Sequence, residues 1–310
     1  TSASDHVLAT LGSASVKQVK LSSSSSPTTI YVNTTGWWRP GAAFNESSNP
    51  IQDAINNASA GDTIFVYNGT YVPLPYGASG IFRICIDKTL TLKGEGADVV
   101  TIDANGGEFA ISVGHDGSGG VPAPGSVVEG FSVTNASTGI SVTEKAPNCI
   151  IRGNIITPYK TGISVDAENT TVIGNVIDGG TADLGNPIHG SNCTIVDNII
   201  KNTTGIYCAL YLYGVEGCII VNNTITDNEG AGISIENAAN NIVTKNNITS
   251  NTYAGIELYN AGSGNKIYLN NIVDNGKTAT TSGTTAPAVT YWNSTEPIEY
   301  VWNGTTYTGY

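Results

Sequence analysis

The sequence contains no methionine, and only 12% of its residues are charged. No apolar run approaches the 18 or more residues of a membrane-spanning helix, so no span is predicted in this chain. The 13 Lys and Arg residues are scattered singly and the net charge is -12, which argues against binding to nucleic acid phosphates. Because even the first residue is not methionine, we expect that a leader was removed. The polar, acidic composition favours a secretory signal, and hence an extracellular, cell-surface location.

Leucines at leucine-rich-repeat spacing are also missing, yet the sequence repeats. A period in the low twenties indicates one supersecondary unit stacked on copies of itself. Short runs of Ile, Val and Thr between Gly, Asn and Asp predict two or three strands in each unit, with no room for a helix. Six asparagines mark the period, each with Ile or Val three positions before it and Ile two positions after it: Asn154, Asn175, Asn198, Asn223, Asn246 and Asn270.

A chain that returns to its starting point at this interval must place equivalent strands side by side in parallel. The repeat therefore predicts an all-β fold, a single-stranded parallel β-helix. Inward positions would stack isoleucine on isoleucine, and a Gly-Ile step would recur at one bend, with Pro187-Ile188 in the same slot. The repeated asparagines suit turns, because they tolerate left-handed geometry and their amides can bond from coil to coil.

Four segments are distinguished along the chain. Residues 1–28 are predicted to form an irregular arm or tether. Residues 29–60 are predicted to form an N-terminal cap, in which Asn49 and Pro50 begin a short amphipathic helix that covers the open end of the solenoid. Residues 61–275 form the β-helix, with a loop at 114–125 ejected from one corner. Residues 276–310 start with a polar loop at 277–286 and end in an aromatic C-terminal cap or contact surface.

Cysteine use leaves two interpretations open. Cys193 and Cys218 each lie five residues before a repeated asparagine, so they would occupy adjacent coils about 4.8 Å apart. That spacing fits a disulfide, but it fits stacked free thiols in the core equally well. Since the chain has five cysteines, at least one thiol is free or pairs between chains.

Twelve N-x-S/T sequons agree with an extracellular surface coated with glycans. The candidate N-glycosylation sites are Asn33, Asn45, Asn57, Asn68, Asn135, Asn169, Asn192, Asn202, Asn222, Asn247, Asn293 and Asn303.

Three segments carry a family resemblance: residues 31–71, residues 225–275 and residues 302–307. The second includes Asn228-Glu229-Gly230-Ala231-Gly232-Ile233 and Asn251-Thr252-Tyr253-Ala254-Gly255-Ile256. These segments resemble right-handed parallel β-helix repeat proteins and, more narrowly, secreted surface proteins of methanogenic archaea. The likeness extends over residues 29–310, and it implies a right-handed solenoid at the cell surface.

Acidic pairs suited to glycan cleavage are sparse. A hydrolase needs two carboxylates on one face, and Glu236 and Glu257 form the best pair, although they do not share a slot of the repeat. Asp227 and Asp274 do share a slot, but the coil between them has Ser250 there. Both pairs are interpreted as solvated turn or surface acids.

Other chemistry-bearing residues stand alone. His115 and His189 lack a basic or acidic cluster at a matching slot, and no Asp set accompanies Arg83 or Arg152. We therefore predict no catalytic residues, no cofactor and no metal site. The one exception is a weak calcium site in the loop Asp116-Gly117-Ser118-Gly119-Gly120.

The leading hypothesis is a non-enzymatic, extracellular structural protein of a surface layer, sheath or filament. It would form homo-oligomers or polymers through the solenoid ends, the arm or the lateral sheets. The alternatives are a polysaccharide lyase or hydrolase, and an adhesin that binds surface glycans. In the adhesin, Tyr207, Tyr211 and Tyr213 would share one face and stack on sugar rings.

Overall fold

The computed structural model describes residues 26–181, 185–205, 207–282, 298–302 and 305–309. The elements up to the ejected loop are β1 (Thr29–Asn33), β2 (Gly36–Trp38), β3 (Asn45–Glu46), α1 (Pro50–Asn56), β4 (Thr63–Val66), β5 (Gly69–Tyr71), β6 (Phe82–Ile86), β7 (Thr91–Gly94) and β8 (Val100–Val113).

The strands that follow the loop are mostly three to six residues long. They are β9 (Val127–Glu129), β10 (Ser132–Val142), β11 (Ile150–Arg152), β12 (Ile155–Thr157), β13 (Thr161–Val165), β14 (Thr171–Ile173), β15 (Val176–Asp178), β16 (Asn186–Ile188), β17 (Thr194–Val196), β18 (Ile199–Lys201), β19 (Cys208–Tyr213), β20 (Ile219–Val221), β21 (Thr224–Thr226), β22 (Ala231–Glu236), β23 (Ile242–Thr244), β24 (Asn247–Thr249), β25 (Ala254–Tyr259), β26 (Lys266–Tyr268), β27 (Asn271–Val273), β28 (Ala279–Ser282), β29 (Ile298–Trp302) and β30 (Thr305–Gly309).

These strands stack into three parallel ribbons, and the chain visits each ribbon once per coil. Ribbon A contains β1, β4, β7, β9, β11, β14, β17, β20, β23 and β26. Ribbon B begins with β5 and the first halves of β8 and β10, then continues through β12, β15, β18, β21, β24 and β27. Ribbon C begins with β6 and the second halves of β8 and β10, then continues through β13, β16, β19, β22, β25 and β28. The predicted right-handed parallel β-helix is confirmed.

The interior consists of the predicted aliphatic columns. The isoleucine two residues after each repeated asparagine is buried in all six coils. The Ile or Val three residues before each of these asparagines is buried as well. Pairing is in register from coil to coil, as between Ile225 and Ile248. Stacked β-branched side chains therefore fill the narrow core along its axis.

The six repeated asparagines form a buried ladder. The side-chain amide of each donates to the amide oxygen of the next, at 2.9–3.0 Å for all five steps from Asn154 to Asn270. The predicted bonding from coil to coil is confirmed. The predicted left-handed backbone is wrong for these residues, because the residue before each asparagine takes that conformation: Gly153, Gly174, Asp197, Asn222, Lys245 and Leu269.

One other register prediction was wrong. Ile188 does not occupy the Gly-Ile slot, because it aligns with Val165 and with Leu212. Asn186 and Leu210 continue that slot instead, and Ile206 lies outside the described residues. The Gly-Ile slot lies nine residues after Asn154 but 11 after Asn175 and 12 after Asn198, so longer turns before ribbon C hide this register from the sequence.

The N-terminal end is closed by the predicted helix. Gln52 in α1 donates to the carbonyl of Cys85 at 3.2 Å and accepts from its amide at 2.8 Å, so it pairs with β6 as a neighbouring strand would. Asn49 precedes the helix and Pro50 begins it, but the Asn49 side chain makes no capping bond and its Oδ1 has no partner. The amide of Asn49 is bound by Ser47 Oγ at 2.9 Å.

The solenoid is longer than the repeat indicates. β1 pairs in parallel with β4, with Thr29 opposite Thr63, so the first rung already lies in the segment assigned to the cap. At the other end β28 pairs with β25, so residues 279–282 are a strand rather than part of a polar loop. Beyond it, β29 and β30 form an antiparallel hairpin. No helix in the described ranges is long and apolar enough to cross a membrane.

Candidate functional site

The outer surface of ribbon C carries two rows of side chains that follow the strand register from coil to coil. Successive coils stack about 4.8 Å apart, so the residues of one row are close neighbours. The first row lies at the ends of the strands and contains Asp166, His189, Tyr213, Glu236 and Tyr259. The second row lies two residues earlier and contains Ser164, Pro187, Tyr211, Ser234 and Glu257. We call these two rows the outer face.

His189 has an acidic neighbour in the preceding coil. Its Nδ1 lies 2.9 Å from Asp166 Oδ1, and both side chains are partly exposed. In the tautomer that carries its hydrogen on Nδ1, the ring donates to the carboxylate and Nε2 is an acceptor. The prediction that His189 lacks a matching acidic group is therefore wrong. Asp166 and His189 follow Val165 and Ile188, which pair across the two coils.

Two tyrosines of β19 stack beside the histidine. The rings of Tyr211 and Tyr213 lie 5.8 Å apart, and the His189 ring is 6.0 Å from Tyr213. Tyr211 is 6% exposed and packs on a small outer cluster of Cys208, Ala231 and Ala254, whereas Tyr213 is 45% exposed.

The predicted shared face holds for these two tyrosines. Tyr207 is exposed but precedes β19, so it lies outside the two rows.

Glu236 and Glu257 lie on adjacent strands of the same face, as diagonal neighbours. Ser234 pairs with Glu257, and Glu236 pairs with Tyr259, so the two acids occupy different slots as predicted. Each acid nevertheless accepts a hydrogen bond from a residue of the second row. The Tyr211 hydroxyl donates to Glu236 Oε2 at 2.6 Å, and Ser234 Oγ donates to Glu257 Oε2 at 3.3 Å. Burial, together with the bond to Glu236, raises the pKa of Tyr211, so its hydroxyl stays protonated.

The sequence does not reveal this grouping, because its members differ in type from one coil to the next. Its members are an acid, a histidine, an aromatic and an acid in successive coils, so no two adjacent coils carry the same residue type. The signal that finds them is the inward aliphatic column. The residue after each of Val165, Ile188, Leu212, Ile235 and Leu258 belongs to the first row.

The other predicted acidic and histidine sites have structural partners. Asp227 and Asp274 lie at left-handed corners and are exposed, which confirms them as turn acids. Asp116 Oδ1 accepts from the amides of Ser118 and Gly119, both at 2.8 Å, and these bonds lower the pKa of Asp116. The ring of His115 packs against Phe82 at 4.2 Å. Calcium binding in the loop stays a prediction.

Neither arginine is available as a base. Arg83 is buried and donates to the carbonyls of Ala104 and Gly80, at 2.8 and 2.9 Å. Arg152 pairs with Glu129 on ribbon A, and Lys93 binds the same carboxylate from the other side at 2.9 Å. Both arginines therefore hold coils together.

The five cysteines are buried free thiols in the structure. Cys193 and Cys218 do occupy adjacent coils, and each donates to a turn carbonyl, of Ala167 at 3.3 Å and of Gly190 at 3.4 Å. The hydrogen bond with Cys218, together with burial, raises the pKa of Cys193. The structure thus shows Cys193 and Cys218 as stacked free thiols. A disulfide between these two cysteines stays a prediction.

The sequons are explained in part by the repeat itself. Asn169, Asn192 and Asn222 take left-handed corners with φ of 56–57°, which asparagine tolerates well. The next residue is buried in the stack, and the third is an outward threonine that opens or precedes the following strand. The left-handed corner, the buried position and the outward threonine follow one another in each of these coils. The repeat therefore accounts for the N-x-T sequence without any glycan. These three corner asparagines are exposed and therefore accessible, and their glycosylation stays a prediction. Asn293 and Asn303 lie outside the described residues.

A family model described as "Periplasmic copper-binding protein (NosD)" matches residues 55–309. The chain belongs to the NosD family. A comparison with curated proteins finds no match. The narrower resemblance to surface proteins of methanogenic archaea is not shown by these comparisons, whereas the parallel β-helix class is.

Several solved structures share the fold of this NosD-family chain. Pectate lyase Pel9A is 13% identical with a TM-score of 0.51, and the match covers 88% of this chain and 79% of that one. The periplasmic alginate epimerase AlgG is 13% identical with a TM-score of 0.50, covering 76% of this chain and 59% of that one. The mannuronan C-5 epimerase AlgE4 A-module of Azotobacter vinelandii is 14% identical with a TM-score of 0.47, covering 78% and 85%.

The described residues do not fit the copper named in the family description. Copper sites in proteins use histidine, cysteine and methionine ligands. Methionine is missing from the sequence, the cysteines are buried, and His115 and His189 contact different groups. No group of three or more His, Cys, Asp or Glu that could hold a metal occurs in the described part of the chain.

Proposed function

We propose that this NosD-family protein binds polysaccharide chains along the outer face of ribbon C and cleaves or modifies them there. The observation that supports it is the succession of Asp166, His189, Tyr213 and Glu236 in one row, with Tyr211 bonded to Glu236. Aromatic rings, histidines and carboxylates are the groups that bind sugars and move protons, and here they form two hydrogen-bonded pairs in neighbouring coils.

Each group has a role that its surroundings support. The exposed ring of Tyr213 offers an apolar surface to the carbon face of a sugar, and Tyr211 supports it from the adjacent row. His189 presents Nε2 to a sugar hydroxyl, because Asp166 holds its other nitrogen. Glu236 is positioned by Tyr211 for acid–base chemistry.

This function replaces the structural role as the leading proposal. A surface-layer or filament role has no comparable group of side chains to support it in the described ranges. The similar structures include a pectate lyase and an alginate epimerase, which agrees with the polysaccharide-processing alternative, although at this identity they share the fold alone. We propose that the protein acts outside the cytoplasm, which the family's periplasmic description supports. Self-assembly through the solenoid ends, the arm or the lateral sheets stays a prediction.

The test is a panel of neutral and acidic polysaccharides, with binding measured by affinity electrophoresis and cleavage by release of reducing ends. Tyr213→Ala should weaken binding by about fivefold, since a stacked aromatic contact contributes about 1 kcal/mol. Tyr159→Ala is the matched control, because Tyr159 is 56% exposed and lies before β13, outside the two rows. No binding and no cleavage across the panel would refute the proposal, as would equal losses in the two variants.

A further inference from the structure

The outer face carries negative charge without a cation among its strands. The segments β13, β16, β19, β22, β25 and β28 contain no Lys or Arg, whereas Glu236 and Glu257 lie on them and Asp166 follows β13. Lys160 and Lys277 precede β13 and β28, at the opposite end of the strands from the first row. The Nζ atom of Lys277 lies 5.2 Å from the Tyr253 ring.

This charge pattern disfavours uronic acid polymers. Such polymers carry one carboxylate per sugar, and like charges at close range cost free energy unless a cation lies between them. Neither an arginine nor a lysine is placed to do so. The described residues also lack a cluster of three or more acids that would bring in a divalent cation. A neutral glycan meets no such repulsion, and carboxylates accept its hydroxyl protons readily.

The two glutamates have the spacing for hydrolysis. Adjacent parallel strands are about 4.8 Å apart and two residues span about 6.6 Å, which places the Cα atoms of diagonal neighbours about 8 Å apart. Both side chains leave the same face of the sheet and each accepts a bond from the preceding coil, so the two carboxyls are displaced in the same direction from their Cα atoms. Inverting glycosidases hold their two carboxyls about 6.5–9.5 Å apart, with room for a water molecule.

The hydrogen bonds distinguish the two acids. Glu236 accepts from the Tyr211 hydroxyl at 2.6 Å and from the Asn237 side-chain amide at 3.4 Å, and the shorter bond fixes its position beside Tyr211. Glu257 accepts from Ser234 Oγ at 3.3 Å, a longer bond. Because the short bond from Tyr211 positions Glu236, we assign the base role to Glu236 and the acid role to Glu257.

Resting on the proposed function, we propose that the outer face hydrolyses a neutral glycan, with Glu236 as general base and Glu257 as general acid. Glu257 donates its proton to the glycosidic oxygen as the C1–O bond breaks. Water attacks C1 from the other side and transfers a proton to Glu236. The products are a new reducing end and a free hydroxyl, and proton exchange with solvent restores both carboxyl groups.

The experiment incubates the full chain with neutral glucans, mannans and xylans, and separately with alginate and polygalacturonate. Release of reducing ends, absorbance of unsaturated products near 235 nm and the anomer first formed, by NMR, are recorded. We expect cleavage of a neutral glycan with an inverted anomer and no unsaturated product. Glu236→Gln and Glu257→Gln should each lose about 1000-fold in kcat, whereas Glu229→Gln, on an exposed corner, should lose none.

The outcomes separate this inference from the proposed function. Cleavage of alginate or polygalacturonate with unsaturated products would overturn the inference and leave polysaccharide processing standing. Neutral-glycan cleavage that survives both glutamine variants would overturn the assigned roles. Binding without cleavage of any substrate would overturn hydrolysis. Thermal melting of the variants checks that each remains folded.

Discussion

The two sides of β22 illustrate how this solenoid divides its residues. Inward, Ile233 and Ile235 pair with Ile256 and Leu258 of the next coil, and all four are buried. Outward, Ser234 and Glu236 pair with Glu257 and Tyr259, so no residue type is continued. The inward positions repeat because each coil must present the same surface to the next.

The outward positions have no such constraint. Solvent accepts most side chains there, so a group that is specific to one coil needs another explanation. Three such groups meet on the outer face: the histidine–aspartate pair, the stacked tyrosines and the tyrosine–glutamate bond. Repetition therefore indicates residues that build the fold, and its loss on a regular ribbon indicates a site.

The largest expected effect on stability comes from an inward truncation. Ile233→Ala removes a fully buried side chain from the axial column and should lower the free energy of unfolding by about 4 kcal/mol, because it leaves a cavity. Glu236→Gln on the same strand keeps its shape and faces outward, so it should change stability by less than about 1 kcal/mol. Urea unfolding of both variants measures the difference. Equal losses would show that the two sides are not distinct.

The asparagine ladder should be nearly as sensitive. Asn223 accepts from the amide and the side chain of Asn198, and donates to Asn246 Oδ1 at 2.9 Å. Asn223→Ala should cost about 3 kcal/mol, since it leaves buried donors and acceptors unpaired.

Asn270→Ala is the control at the end of the ladder, where the side chain is half-buried and water can replace it. We expect a loss of about 1 kcal/mol there. Unfolding midpoints that fall equally for Asn223 and Asn270 would contradict a cooperative, buried ladder.

Asp62 lies at the N-terminal end of the solenoid and does not recur from coil to coil. It makes the free energy of unfolding depend on pH. Burial would raise its pKa, but amides of Ser59 and Thr28 and the Arg39 guanidinium, at 3.0 Å, together lower it below 3.8. A lowered pKa stabilises the fold above the unfolded value of about 3.9, and this contribution is lost as the pH falls through the folded value.

Asp62→Asn should therefore cost about 2 kcal/mol at pH 7, and the difference from the unmodified chain should shrink below about pH 3. Chemical unfolding at pH 7 and pH 2.5 measures both values. A difference that is constant between the two pH values would mean that the charge on Asp62 contributes nothing.

The sequence predicts what repeats and fails where the repeat is broken. The Ile columns and the asparagine ladder follow from the need of every coil to match its neighbours. Longer turns before ribbon C, after Asn175 and after Asn198, hide the alignment of Ile188 with Leu212, and hence the row that contains His189 and Tyr213. The pairing of β1 with β4 is hidden for another reason, because its partner lies beyond the helix and carries no asparagine motif.

The smallest expected effect concerns the column of Cys193 and Cys218. Its residues differ in type but share one task, since cysteine, threonine and asparagine all donate to a turn carbonyl: Cys149, Thr170, Cys193, Cys218, Asn241 and Asn265. The backbone amide of Cys218 already donates to Asn241 Oδ1 at 2.9 Å. Cys218→Asn should extend the Asn241–Asn265 ladder by one coil and change the free energy of unfolding by less than about 1 kcal/mol.

Cys218→Val is the matched control, because it fills a similar volume without a donor and leaves the carbonyl of Gly190 unpaired. We expect it to lose about 1–2 kcal/mol more than Cys218→Asn, measured under reducing conditions so that no disulfide contributes. Equal stability of the two variants would show that the column selects for volume and not for a donor. In that case this column would follow the rule of the aliphatic columns, and its hydrogen bonds to turn carbonyls would contribute nothing to stability.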